Sequence, residues 1–228
     1  MPKKNIEISL IISSNYRSLI YLYYLKKNRL LPKKIVFLKN IKEKIYNKKI
    51  ILFFKKNISQ ILVKTFLTKQ INDSKVTSYL FKHKSKMFIV SLYPGAEGII
   101  KNKLLLKKKL FIHSHPGKLP AYKGSTTIYY SILSEKKIWC DTIFLNEKID
   151  QGSIIYSKRY PIPKKVLDID QNYDAKIRAL NLIKALKILK RKKNDFKFRK
   201  KNNDFNPTYY YIIHPILRLL VFNKIKNV

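Results

Sequence analysis

The sequence predicts an α/β fold with a largely parallel central sheet flanked by helices, and three observations point there. Short apolar runs of strand length alternate with longer amphipathic stretches along the 228 residues, the pattern in which helices serve as crossovers between parallel strands. Runs such as Met87 to Ser91 and Leu110 to His113 are apolar at successive positions, as strands covered on both faces are. All five glycines fall between Gly95 and Gly152, so the positions that need unusual backbone or close approach are gathered in one stretch. Open α/β sheets bind ligands beyond the carboxyl ends of their strands, and that stretch is the candidate site.

Taken in order, Ile6 to Ile12 reads as a first strand. Glu7 and Ser9 interrupt it, which argues against a signal peptide. Tyr16 to Lys27 has helical spacing, with Leu19, Ile20, Tyr23 and Tyr24 as its apolar side. Lys34 to Leu38 follows Pro32 as a second strand. Ile50 to Phe54 and Gln60 to Phe66 are apolar runs whose periodicity fits either element. Asp73 caps a short helix through Leu80, Met87 to Ser91 is a buried strand, and Lys101 to Leu106 is a helical turn before the strand Leu110 to His113. A helix starts near Gly124 or Ser125 and runs to Ser134. The strands Thr142 to Leu145 and Ser153 to Tyr156 bracket the loop Asn146 to Gly152, and Asp174 to Lys190 is a helix with Ile177, Leu180, Ile183 and Ile188 inward. Lys190 to Asn203 reads as a solvated polar segment, and Tyr209 to Phe222 as a packed terminal helix or, over Tyr209 to Val221, a homodimer seam. The expectation is a single domain over residues 1–228.

Lys and Arg number 50 against 13 Asp and Glu, a formal charge of +37. Such a balance attracts polyanions nonspecifically at low salt. Arg occurs only at 17, 29, 159, 178, 191, 199 and 218, so nearly all the charge is Lys, alongside heavy use of Ile, Asn, Tyr and Phe. Those residues share A/T-rich codons, and coding bias therefore explains part of the charge without a nucleic-acid function. The single Cys140 excludes an internal disulfide framework and a Cys-rich zinc site, and a reducing cytoplasm is the expected compartment. No apolar stretch approaches the length of a membrane span.

The chemistry-bearing residues cluster after the strand that ends near His113. His113 and His115 lie two apart, so on a strand they share a face, and Pro116-Gly117 then turns the chain toward Leu119-Pro120. An HxH pair also occurs as a structural feature or a metal half-site; no metal is expected here. Asp150-Gln151-Gly152 alone is an ordinary turn. Ser13-Ser14-Asn15 with Arg17 fits either a phosphate site or a helix cap, and His83 and His214 are expected to be structural.

The stretch His113-Ser-His-Pro-Gly-Lys-Leu-Pro120-Ala-Tyr-Lys-Gly124-Ser-Thr-Thr, followed by Lys148-Ile-Asp150-Gln-Gly152-Ser-Ile-Ile155, resembles the formyl transferases that use 10-formyltetrahydrofolate. Their shared pattern is Asn-x-His, a Pro, a short Leu-Pro turn, a Gly and later an Asp-x-Gly-x-Ile loop. The resemblance implies a Rossmann-like formyltransferase fold, with His115 and Asp150 as the family's catalytic His and Asp. His113 stands where the family has its Asn. The His-x-His-Pro-Gly form with Gly-Ser-Thr-Thr-Ile-Tyr-Tyr is similar to a sugar-type subgroup associated with surface polysaccharide and lipopolysaccharide assembly. The resemblance further implies folate contacts at Gly98, Leu119, Pro120, Cys140, Asp141 and Thr142, and acceptor contacts at Gly117, Gly124, Ser125 and Thr126. The implied reaction is formyl transfer to a nucleotide-activated amino sugar. Methionyl-tRNA and glycinamide ribonucleotide remain alternative acceptors, the former disfavoured by the short stretch after Asp150. A catalytically decayed, basic RNA-binding protein is the alternative from another class.

Overall fold

A computed structural model describes residues 7–93, 99–163, 169–191 and 208–226, which divide into two compact units, 1–113 and 114–228. In the first, β1 (Ile8–Ser13), α1 (Tyr16–Lys27), β2 (Lys34–Leu38), α2 (Lys44–Lys55), β3 (Leu62–Phe66), α3 (Ser74–Lys82), β4 (Met87–Ser91) and α4 (Lys103–Lys108) alternate before β5 (Leu110–His115). The strands lie in the order β3-β2-β1-β4-β5, and every neighbouring pair is parallel. Leu10, Ile11, Ile12, Phe37, Phe88 and Ile89 are buried, because helices cover both faces of a sheet wound by crossovers.

The ambiguous runs divide by burial. Ile50 to Phe54 is the second half of α2, which buries Asn47 and Ile50. Gln60 to Phe66 contains the edge strand β3, whose Leu62 is 70% exposed, so its apolar composition does not report a core position. The apolar side of α1 is also corrected: Ser18, Tyr21, Leu22 and Leu25 are buried, while Tyr23 is exposed and Leu19, Ile20 and Tyr24 are half-buried. Spacing of 3, 1 and 3 makes one stripe.

The Ser13 to Arg17 segment is a cap. Ser18 N–H donates to Asn15 Oδ1 at 2.9 Å, Ser14 Oγ donates to Asn47 Oδ1 at 2.5 Å, and the Arg17 guanidinium donates to the Leu92 carbonyl. His83 accepts from Ser85 N–H at 3.0 Å and packs edge-on to Tyr79 and Phe88. Burial holds its imidazole below the usual histidine range.

The second unit holds the last two residues of β5, then β6 (Lys123–Gly124), α5 (Thr127–Glu135), β7 (Ile138–Phe144), β8 (Ile154–Tyr160), a π-helical turn (Ile169–Tyr173), α6 (Asp174–Arg191), β9 (Tyr209–Tyr210) and α7 (Pro215–Lys226). Here β5 neighbours β7, and β7 and β8 are antiparallel. Both strands of that hairpin are longer than expected: β7 begins at Ile138, so Cys140 and Asp141 belong to it. In α6, Ile177 and Ile183 are buried as expected, whereas Leu180 and Ile188 are half-buried and small Ala175, Ala179 and Ala185 take core positions.

Most of the expected polar segment, residues 192–203, lies outside the described residues. Tyr209 to Phe222 is a two-residue strand followed by a helix, and Tyr211, Ile212, Ile216, Leu219 and Leu220 are exposed. His214 accepts from Ile216 N–H at 3.3 Å at the start of α7.

Two substitutions test this packing. A Cβ on Gly152 meets the Phe144 carbonyl oxygen at 1.4 Å, so Gly152→Ala forces backbone apart; a loss of about 2–3 kcal/mol is expected, read as a melting temperature lower by roughly 5–10 °C. Asn181→Ala strips hydrogen bonds from buried Thr142 and from the Tyr156 carbonyl, with an expected loss of about 1–3 kcal/mol in denaturant unfolding.

Candidate active site

The last residue of β5 is His115, 2% exposed. Its Nε2 lies 2.7 Å from the carbonyl oxygen of Tyr122. A carbonyl only accepts, so Nε2 carries a proton, an assignment made from the partner. Thr127 Oγ1 lies 3.5 Å from the same nitrogen and donates its own proton to the Pro116 carbonyl at 2.7 Å. Nδ1, on the other side of the ring, faces Asp150 Oδ1 at 3.4 Å. Both ring nitrogens thus look at acceptors. A neutral imidazole donates to one of them and an imidazolium to both, which leaves a single proton position between Nδ1 and the Asp150 carboxylate.

Asp150 is held for this pairing by an unusual backbone. Its φ of 52° is left-handed, a conformation that side-chain-bearing residues seldom adopt and that clusters at functional sites. Oδ2 accepts the Gly124 N–H at 2.9 Å, and the carboxylate is 7% exposed. The loop around it is closed by Asn146 Nδ2 donating to the Gln151 carbonyl at 3.0 Å and by Phe144 N–H donating to Ser153 O at 3.0 Å. Lys123 is buried nearby; burial lowers its ammonium from the usual lysine range, and the Asp150 charge opposes that shift.

A second layer fixes the strand end from behind. Ser114 Oγ and Thr142 Oγ1 are 2.8 Å apart, and Asn181 Nδ2 donates to Thr142 Oγ1 at 2.9 Å. Arg178 donates to the Ser114 carbonyl at 2.8 Å while its Nε is held by both Asp174 oxygens at 2.9 Å. None of Tyr122, Thr127, Arg178 and Asn181 was singled out from the sequence. Arg178 carried a signal, as one of seven arginines in a lysine-rich chain, and so did Asn181, polar on the apolar side of a helix. Tyr122 acts through a main-chain carbonyl, which residue identity does not encode.

The structure brings His115 and Asp150 together, with Gly117 and Gly124 beside them. A Cβ on Gly117 approaches His115 Nε2 to 2.9 Å, so only glycine lets the loop lie flat against the ring. His113, half-buried, is the last residue of the first unit and precedes His115 by two on β5. Ser125 N–H donates to Tyr210 O in β9 at 2.8 Å, and Thr126 Oγ1 donates to Tyr211 O at 3.1 Å and accepts from Ile213 N–H at 2.9 Å in the segment that follows β9. Leu119 is buried and precedes Pro120 through a cis peptide bond. Cys140 lies in an apolar cluster with Ile138, Tyr160 and Ile177, where burial pushes its thiol well above the usual cysteine range. Thr142 is spent on Ser114 and Asn181. Asp141 is fully buried, and burial pushes its carboxyl up. Gly98 lies outside the described residues.

No family model matches the chain. A curated methionyl-tRNA formyltransferase of Finegoldia magna is 23% identical over 176 residues, 76% of this chain and 55% of that protein, so the chain spans about half the length of the curated relative it matches. A sugar N-formyltransferase from a Shewanella species superposes with a TM-score of 0.62 at 15% identity, covering 97% of this chain and 88% of the other. The N-formyltransferase of Helicobacter canadensis, solved with folinic acid and dTDP-3-aminofucose, gives 0.58 at 19% identity over 90% of this chain and 71% of that one. The phosphoribosylglycinamide formyltransferase of Anaplasma phagocytophilum gives 0.57 at 14% identity, covering 91% of this chain and all of its own. The chain therefore has the α/β, Rossmann-like fold of the formyltransferases.

Proposed function

We propose that the protein transfers the formyl group of 10-formyltetrahydrofolate to the amine of a nucleotide-activated amino sugar. The observation that carries this reading is the buried His115–Asp150 pair at the end of a sheet strand. In formyl transfer the acceptor nitrogen bonds to the formyl carbon, the bond from that carbon to the folate nitrogen breaks, and one proton passes from the amine to the departing nitrogen. Asp150 is the base for the amine proton. His115 shares that proton through Nδ1 and supplies positive charge to the oxyanion. His113 stands in for the family Asn as a donor. The co-substrate supplies an activated formyl group, and the residues suit direct transfer: the one cysteine is enclosed with its thiol pushed up, so no thiol is poised to carry the formyl group.

The motif Gly124-Ser-Thr-Thr-Ile-Tyr-Tyr130 and the sugar N-formyltransferase neighbours favour an amino sugar in surface polysaccharide assembly as acceptor. Folate contacts are assigned around Leu119 and Pro120, and acceptor contacts near Gly117 and Gly124. The +37 charge favours one second reading, an RNA-binding protein on a transferase fold.

Calorimetry with 5-formyltetrahydrofolate at physiological salt is expected to show saturable one-site binding, since screening suppresses nonspecific attraction of an anion. Asp150→Asn is expected to lower turnover by about 100-fold or more in a formylation assay with a nucleotide amino sugar. His113→Asn is expected to keep or raise activity; an inactive variant that still binds folate would count against His113 acting as the Asn substitute. RNA retention that falls steeply with salt and ignores Asp150→Asn, in a protein without folate binding, would support the second reading instead.

A further inference from the structure

We propose that Asp141 is a positioning residue for His115, holding through the Leu119 N–H the loop whose Tyr122 carbonyl takes the Nε2 proton. The chain leaves β5 at His115, runs through Pro116 to Ala121 and returns so that the Tyr122 carbonyl meets the ring it has just left. Its ends are anchored: Thr127 Oγ1 donates to the Pro116 carbonyl at 2.7 Å, and Tyr122 Oη pairs with Ser134 Oγ at 2.5 Å. A turn hydrogen bond closes it, from Tyr122 N–H to Lys118 O at 3.0 Å. Midway, the Leu119 N–H donates to Asp141 Oδ2 at 2.8 Å. That bond ties the loop apex to β7.

A carboxylate is a costly way to accept one amide proton. Asp141 is fully buried, and its Oδ1 meets no hydrogen-bond donor; a neutral acceptor would hold the same N–H with a smaller desolvation penalty. Burial pushes the carboxyl up, opposed by the Ser157 hydroxyl, the Leu119 N–H and the charges of His115 and Lys118. Those are the groups that face it from β8, from the loop and from the end of β5. A side chain that stability disfavours, tied to the loop that sets the proton position of His115, is placed to serve the reaction and not the fold.

The kinetic arm rests on the proposed formyl transfer; the spectroscopic and thermal arms do not. Asp141→Asn keeps an acceptor for Leu119 and removes the charge, whereas Asp141→Ala removes both. Long-range proton–nitrogen NMR of the full chain, labelled on histidine, is expected to show His115 protonated at Nε2 in the wild type and Asp141→Asn, and mixed tautomers in Asp141→Ala. Turnover is expected to fall roughly 10–100-fold in Asp141→Ala with KM little changed, and to recover only in part in Asp141→Asn, which keeps the tie to Leu119 and loses the charge that acts on His115. Asp141→Asn is also expected to melt higher than the wild type at neutral pH. With the folded-state carboxyl raised above its unfolded value, the wild type loses stability as pH rises out of the ordinary aspartate range, so the gap closes in acid. An unchanged His115 signature in Asp141→Ala overturns the proposal. So does an Asp141→Asn protein less stable than the wild type at neutral pH, a result that stays readable if Asp141→Ala does not fold. A protein that meets the NMR and thermal expectations but forms no formamide leaves Asp141 in this role and removes the formyl-transfer reading.

Discussion

A buried imidazole with an acceptor on each nitrogen is the constraint around which the second unit is arranged. The Tyr122 carbonyl at 2.7 Å fixes the proton on Nε2, and the Asp150 carboxylate at 3.4 Å waits opposite Nδ1. Away from water, each unmet acceptor is expensive, so ring orientation, loop path and carboxylate position are specified together. The glycines at 117 and 124 sit at the two closest approaches, one against the ring and one donating its N–H to Asp150.

That arrangement survives because its supports do not depend on the site's own residues. The left-handed Asp150 backbone is bounded by Gly152, which lies so close to the Phe144 carbonyl that no side chain fits. On the opposite face of the strand end, Ser114, Thr142 and Asn181 form a chain of hydrogen bonds, and Arg178 donates to the Ser114 carbonyl. Strain at the loop is therefore set against a satisfied polar network on α6.

Much of the fold was legible. The boundaries of α1, β2 and β4 are those the residues predict, because caps at Asn15 and lysines at Lys26 and Lys27 are local signals. Where burial and composition part company, sequence pattern was a poor guide. The edge strand β3 carries an exposed Leu62, α1 turns Ser18 inward and Tyr23 outward, and β7 reaches back to Ile138 through a charged Asp141. In each case the partner strand or helix, remote in the chain, decides which face is inside.

His115, Asp150 and the glycines between them were determined by the sequence alone, since their chemical types and spacing carry meaning before folding. Only the tertiary structure decided how they are held. The acceptor for Nε2 is a main-chain carbonyl that any residue at position 122 possesses, the strand-end support comes from Arg178 and Asn181 on α6, and the loop tie comes from a carboxylate on β7. Main-chain hydrogen bonds and long-range neighbours are products of the path of the chain, and residue identity does not record that path.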